Sequence, residues 1–218
     1  MAASAKRVML LLYAAFASCS TGKEGGRASS PGSRGSSLSV ATTQPPPVDT
    51  GASLRITATS LGGIAICSPL GAVDRTFVRV SDTVMIGEDG ETKWPAKLAR
   101  LSPAEWVLFE SSWVDTARIW RASTNSPRYS TVRGYRVSST VGALRALGDS
   151  LSVDLPEGVL VVTDVRDEVA FTVDDSATAA FRAHYAPPTE PQPGDVPSTA
   201  RLTHLFIGGD CQHQRPPN

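Results

Sequence analysis

Three cysteines, Cys19, Cys67 and Cys211, are the residues whose chemistry the sequence marks most clearly. Cys19 follows an apolar stretch, where a cysteine could be acylated, whereas Cys67 and Cys211 lie in the body of the chain. If Cys19 carries lipid in an oxidising compartment, the other two are expected to form a disulfide. In the chain-entropy model this long-range bridge would stabilise the fold by up to about 5 kcal/mol. The alternative is that both remain free thiols.

The N-terminal residues have the pattern of an export signal. Lys6 and Arg7 precede residues 8–17, a run of ten uncharged, mostly apolar residues, and Phe16-Ala17-Ser18-Cys19 resembles a lipobox. Ten residues are too few to cross a bilayer as a helix, which needs about 20. We predict that residues 1–19 are a lipoprotein-type signal peptide and that Cys19 is lipidated. Cleavage after Ala17, which releases a soluble protein, and an incidental Cys19 are the alternatives.

The signal predicts an exported protein that is anchored by lipid in the cell envelope. Ser20, directly after the cysteine, resembles a residue that permits sorting to an outer membrane, where the protein would face the periplasm or the cell surface. Residues 20–50 are rich in Ser, Gly, Pro and Thr and have almost no large apolar side chain, so we predict a disordered tether. A tether of this length has an r.m.s. span of roughly 30 Å.

Other side chains suggest little catalytic or metal chemistry. The cluster Asp210-Cys211-Gln212-His213 lacks a second pair of ligands at zinc spacing. No nucleophile elbow or phosphate-binding glycine motif is present in the sequence. Glu110 and Asp115 could act as paired carboxylates on a glycoside, but exposed acids at strand ends are the better interpretation. We therefore predict no catalytic residue, no metal and no cofactor, and we do not expect an enzyme.

The charge of the chain also excludes a class of partner. Its formal net charge is zero, and loss of residues 1–19 leaves 19 basic and 21 acidic residues. This balance gives no basic field for nucleic acid. The expected contacts are with the membrane, through the lipid, and with an unknown envelope protein.

The tryptophans are clustered and form the candidate binding surface. All four fall within residues 94–120: Trp94, Trp106, Trp113 and Trp120. Alternation along a strand would place Trp106 and Trp113 on opposite faces of a sheet, because they are an odd number of positions apart. One face would pack on a helix and the other would display aromatic side chains, which dominate the energetics of protein interfaces. The alternative is that all four tryptophans pack in the core.

A recurring motif indicates which elements position these residues. Residues 63–73 match residues 134–144 at an offset of 71, and residues 116–119 match residues 199–202 at an offset of 83. The motif predicts a short strand, a serine cap (Ser68 or Ser139) and a helix. Strands are then predicted at residues 83–87, 94–101, 105–112 and 117–123, and at residues 151–155, 159–165, 168–173 and 201–207.

These elements predict an α+β fold, a tandem duplication of a helix packed on an antiparallel β-meander. The first repeat would span residues 51–132 and the second residues 133–210, with a tail at residues 211–218. In this arrangement Gly71 and Gly142 lie in the helices, where close approach to the sheet favours glycine.

The strand-to-helix turn, with the form Gly-x-x-hydrophobic-small-Ser/Thr, resembles that of the SmpA/OmlA (BamE-like) envelope lipoproteins. The tandem arrangement is similar to the β-lactamase inhibitor protein fold. The resemblance covers residues 52–210 loosely, through the motifs at residues 134–144 and 63–73. It implies a non-catalytic envelope lipoprotein that presents a sheet surface for protein–protein interaction or envelope assembly. A periplasmic module that binds a small ligand or glycan between the two repeats is the alternative.

Overall fold

The structure is a computed structural model that describes residues 54–147, 150–184, 190–209 and 211. All of these residues belong to one unit of the chain. The predicted signal peptide, Cys19 and the predicted tether lie outside the described residues. None of the described helices is long and apolar enough to cross a membrane.

The described residues are organised into twelve strands and three helices. The strands are β1 (Arg55–Thr57), β2 (Ser60–Leu61), β3 (Ile64–Ala65), β4 (Val80–Ile86), β5 (Lys93–Arg100), β6 (Trp106–Glu110), β7 (Arg121–Thr124), β8 (Ser130–Thr131), β9 (Leu151–Asp154), β10 (Val161–Asp164), β11 (Val169–Val173) and β12 (Leu202–Gly208). The helices are α1 (Ala72–Thr76), α2 (Val141–Ala146) and α3 (Asp175–His184), and short 3-10 turns occur at Pro156–Gly158 and Pro193–Asp195.

Eight strands form one antiparallel sheet in the order β4-β5-β6-β7-β12-β11-β10-β9. Each of the eight lies within about two residues of a strand that the sequence predicts, apart from β4, which begins three residues early, and β7, which begins four residues late. Two meanders, β4 to β7 and β9 to β12, are joined side by side because β12 pairs with β7. The two halves therefore meet in a continuous sheet.

The predicted α+β class is wrong, because the described protein is mostly β. Its helices are short, and α1 and α2 have only five and six residues. Helices of one to two turns cannot form a layer that covers a sheet of eight strands. Instead, β1, β2, β3 and β8 form a second sheet of four strands, which was not predicted from the sequence. Three of these strands have two residues, too few to show an alternating pattern.

The two motifs share backbone geometry at equivalent positions. The N–H of Cys67 donates to the carbonyl of Ile119 at 2.8 Å, and the N–H of Ser138 donates to that of Leu202 at 2.7 Å. Cys67 and Ser138 both have left-handed backbones, with φ of 70° and 76°. Residues other than glycine rarely adopt this backbone conformation. Its occurrence at both Cys67 and Ser138 therefore reflects the same tight turn into α1 and α2.

The predicted serine caps are wrong. The residues at the helix N-caps are Gly71, without a side-chain hydrogen bond, and Thr140, whose side chain accepts from the N–H of Ala143. Ser68 instead donates to the carbonyl of Ala65 within the turn.

The two motif glycines also have different surroundings. A Cβ on Gly142 would lie 2.8 Å from the carbonyl oxygen of Ser198, whereas a Cβ on Gly71 would meet nothing within 4 Å. Close approach therefore explains the glycine at position 142 only, and there the neighbour is the segment before β12, not the sheet predicted from the sequence.

The core lies on one face of the large sheet. Phe109 and Phe171 are fully buried at its centre, and the small sheet and all three helices contribute their buried residues to the same cluster. Cys67 and Cys211 are joined by a disulfide, with their Cα atoms 5.3 Å apart, and both pack against this core. The bridge ties the turn before α1 to the end of β12. Disulfides of this kind are expected in an oxidising, exported compartment.

Candidate binding surface

The face of the large sheet opposite the core is the candidate binding surface, here called the outer face. Strand register defines one row of outer-face residues across all eight strands: Ser81, Leu98, Leu108, Ser123, Phe206, Ala170, Thr163 and Ser152. Phe206, Ala170 and Val161 form an apolar cluster that is separate from the main core. The described layers pack on the other face, so this second apolar cluster belongs to the outer face itself.

A second row places aromatic and polar side chains at the centre of the outer face. The ring of Trp106 lies 5.6 Å from that of His204, centroid to centroid, with an angle of 30° between the planes. Nδ1 of His204 is 3.0 Å from the hydroxyl of Thr172, which is also 2.8 Å from the hydroxyl of Thr203. These contacts hold His204 in a fixed orientation against Trp106.

The surroundings of His204 favour its neutral form. Burial lowers the pKa of the imidazole, and the negative charge of Asp175 opposes this only in part. A neutral imidazole stacked on an indole can be covered by a partner without leaving a charge unpaired. The centre of the outer face is therefore suited to burial in an interface at neutral pH.

A buried ion pair lies towards one end of the outer face. Arg121 donates from Nε to Oε1 of Glu110 at 2.9 Å and from Nη2 to Oε2 at 2.7 Å. The side chains are only 10% and 2% exposed. The Arg121 guanidinium also lies 5.5 Å from the ring centre of Trp120. Since its two oxygens bind Arg121, Glu110 is not poised to act with Asp115 as a catalytic acid or base.

The four tryptophans are not gathered on one surface. Trp106 is half-buried on the outer face, and Trp94 shares that face but is only 4% exposed. Trp113 is 66% exposed in the loop after β6, outside any strand, and Trp120 directly precedes β7. Of the four, Trp106 has the position and exposure that a docking surface needs.

The other candidate groups do not form a reactive site in the part of the chain that the structure describes. No group of three or more His, Cys, Asp and Glu side chains there could hold a metal ion. Asp115 accepts a hydrogen bond from the N–H of Ala117 at 3.1 Å, which stabilises the loop around Trp113. Residues 210, 212 and 213 of the predicted tail cluster lie outside the described residues.

Four residues of the outer face were not predicted from the sequence as surface candidates: His204, Phe206, Leu98 and Leu108. A signal for two of them was present in β12, where His204 and Phe206 alternate with Leu205 and Ile207. A strand that is apolar on both faces differs from the polar-out pattern of a solvated sheet. Its outward residues therefore require contacts of their own.

Comparison with known proteins identifies a structure with a similar fold but no family to which the chain could be assigned. No family model matches the chain, and no curated protein matches it. The chain is similar to the crystal structure of the uncharacterized protein yfeY from Escherichia coli, with a TM-score of 0.51 and 9% sequence identity. The match covers 71% of this chain and 99% of that one. At this identity the likeness concerns the fold alone.

Proposed function

We propose that this chain is a non-catalytic envelope lipoprotein that binds an envelope protein through its outer face. The observation that carries the proposal is the row of apolar and aromatic side chains that crosses the centre of the large sheet opposite the core. The resemblance to the SmpA/OmlA group supports an envelope role by analogy, and the disulfide supports export.

The distribution of polarity on the outer face fits a protein interface. Its centre carries Trp106, Leu108 and Phe206, half-buried or buried, while the flanking strands carry the exposed Arg100 and Asp154. Specific interfaces have an apolar centre enriched in aromatic residues and a polar rim. Because β7 pairs with β12, the two halves of the large sheet are continuous and leave no cleft at their junction. We therefore favour a protein partner over a small ligand or glycan bound between the repeats.

The first prediction is that substitutions on the outer face weaken or block partner binding. Ser123→Arg places a large charge between Leu108 and Phe206 and should block docking, and Trp106→Ala should remove a central contact. Loss of a central aromatic costs roughly 2 kcal/mol or more, which is about a 30-fold loss of affinity. The tagged chain and each variant would be used to capture partners from envelope extracts, and the affinity of the captured protein would then be measured.

Trp113→Ala is the matched control, since this exposed tryptophan lies outside the sheet. Thermal unfolding of each variant would show that the fold is retained. If Ser123→Arg and Trp106→Ala bind the partner as tightly as the parent, or if Trp113→Ala is equally defective, the outer face is not the binding surface.

The second prediction is that the mature protein begins at a lipidated Cys19. The basis is the ten-residue apolar run at residues 8–17 that ends in the lipobox-like Phe16-Ala17-Ser18-Cys19. Intact-mass analysis of the membrane fraction should show a diacylglycerol adduct on the N-terminal residue. Cys19→Ala should release the protein into the soluble fraction. A native product that starts unmodified at Ser18 would contradict the anchor and leave the outer-face proposal to its own test.

A further inference from the structure

The free edge of β4 differs from the other edge of the large sheet. At the opposite end, β9 contacts the 3-10 turn at Pro193–Asp195. β4 has seven residues, and in the described part of the chain β5 is the one strand that pairs with it. A long uncovered edge presents a row of main-chain donors and acceptors that fits another extended strand.

Two hydrogen bonds at the ends of β4 identify which of its main-chain groups point outward. The N–H of Arg100 donates to the carbonyl of Arg79 at 2.9 Å, and the N–H of Gly87 donates to that of Thr92 at 2.7 Å. Residues 79 and 87 therefore direct their groups towards the β5 side, and antiparallel alternation extends this to the odd-numbered residues between them. The outward-facing groups belong to the even-numbered residues: Val80, Asp82, Val84 and Ile86.

Two of these residues, Val84 and Ile86, have exposed apolar side chains, whereas the side chain of Val80 is partly buried against the core. Val84 is 56% exposed and Ile86 is 38% exposed. Asp82 is the one charged member of the set, and its carboxylate lies 2.6 Å from Nζ of Lys97 on β5, away from the free edge. Edge strands often carry charges or proline that oppose pairing. β4 has no proline, and Asp82 is its one charged residue.

We propose that β4 pairs with β4 of a second copy of this chain, antiparallel and centred on Thr83. In this register Val80 lies opposite Ile86 of the second copy, and Asp82 lies opposite Val84. All four outward residues of each copy then form hydrogen-bonded pairs, and no like charges face each other. If the pairing were centred on Asp82, the two Asp82 side chains would face each other. If it were centred on Val84, Val80 would have no partner within the opposite strand. Self-pairing therefore has one favoured register.

A pair of opposite-charge variants tests the register. Val84→Glu places a glutamate opposite Asp82 of the second copy at two symmetric positions, whereas Val84→Lys places a lysine there. Sedimentation equilibrium of the full chain in detergent should show a dimer for the parent and for Val84→Lys. Val84→Glu should raise the dimer Kd by about tenfold or more, because two like-charge pairs are created. Position 84 is exposed, so thermal unfolding of the monomers should be unchanged.

Cysteine cross-linking provides a second measurement. Thr83→Cys brings two cysteines face to face in a pair with Cα atoms about 4.5 Å apart, within reach of a disulfide. Ser81→Cys is the control. In this register the two cysteines at position 81 would be offset by four residues along the strands, which is roughly 13 Å. Covalent dimer should form with Thr83→Cys alone, both variants being made with Cys19→Ala. A monomeric parent at the highest soluble concentration, equal weakening by both Val84 variants, or equal cross-linking of both cysteine variants would overturn the proposal.

Discussion

Replacement of Cys211 by serine should lower the free energy of unfolding by about 2–5 kcal/mol. The bridge to Cys67 spans 144 positions in sequence, so its removal releases a very large loop in the unfolded chain. In the native state it ties a turn with a left-handed backbone at Cys67 to the end of β12. Urea unfolding followed by far-UV circular dichroism would measure the loss, with unchanged secondary structure before the transition.

The reduced parent protein is the control for this substitution. If the effect comes from the covalent link, the parent in excess reductant should unfold at the same urea concentration as Cys211→Ser. Cys67→Ser should behave alike, because it breaks the same bond. Equal stability of the oxidised parent and both variants would show that the bridge contributes nothing to the fold.

Glu110→Ala should cost about 3–5 kcal/mol of unfolding free energy, because it leaves the Arg121 guanidinium in a largely buried position without its carboxylate partner. Arg121→Ala should have an effect of similar size, since Glu110 is buried even more completely. A change from an ion pair to apolar side chains of similar volume, Glu110→Met with Arg121→Leu, should restore most of the loss. Urea unfolding of the parent, the two single alanine variants and the double variant Glu110→Ala with Arg121→Ala forms a double-mutant cycle, and the apolar pair is measured beside it.

A large coupling energy between the two positions is the expected signature of a buried pair. The exposed pair between Arg118 and Asp115, at 3.9 Å, is the matched comparison. Its removal should change stability by about 1 kcal/mol or less, because water screens it. If Glu110→Ala is as mild as Arg118→Ala, the pair at positions 110 and 121 does not stabilise the sheet in the way its burial implies.

The strands of the large sheet could be read from the sequence because they are long enough to repeat a pattern. β5 and β6 alternate inward and outward side chains over eight and five residues, and a turn with Gly87, Asp89 and Gly90 separates β4 from β5. α1 and α2 were recognised as helical by their apolar spacing, but not as single short turns. The four-stranded sheet was not predictable, since β2 and β3 have only two residues each and β8 joins the sheet by pairing with the distant β1.

The candidate surface was predicted only in part, for a similar reason. Which side of a strand faces the core depends on the layers that pack on it, and these come from residues far apart in sequence. The tryptophan cluster therefore indicated a surface but not its composition. Trp106 belongs to it, while its neighbour His204 comes from the last strand, and no local pattern links the two.

The central position of β12 has a consequence for how the chain folds as it emerges into the compartment where it matures. β4 to β7 emerge well before β12, yet the second strand that pairs with β7, after β6, is the last one of the described chain. Until it arrives, β7 has an unsatisfied edge, and the entropy of closing a loop as long as the whole second half must be overcome. The incompletely folded chain is thus prone to pairing, through the open edge of β7, with other chains that have not finished folding. A chaperone that shields open sheet edges would protect this protein most between the emergence of β7 and the release of β12.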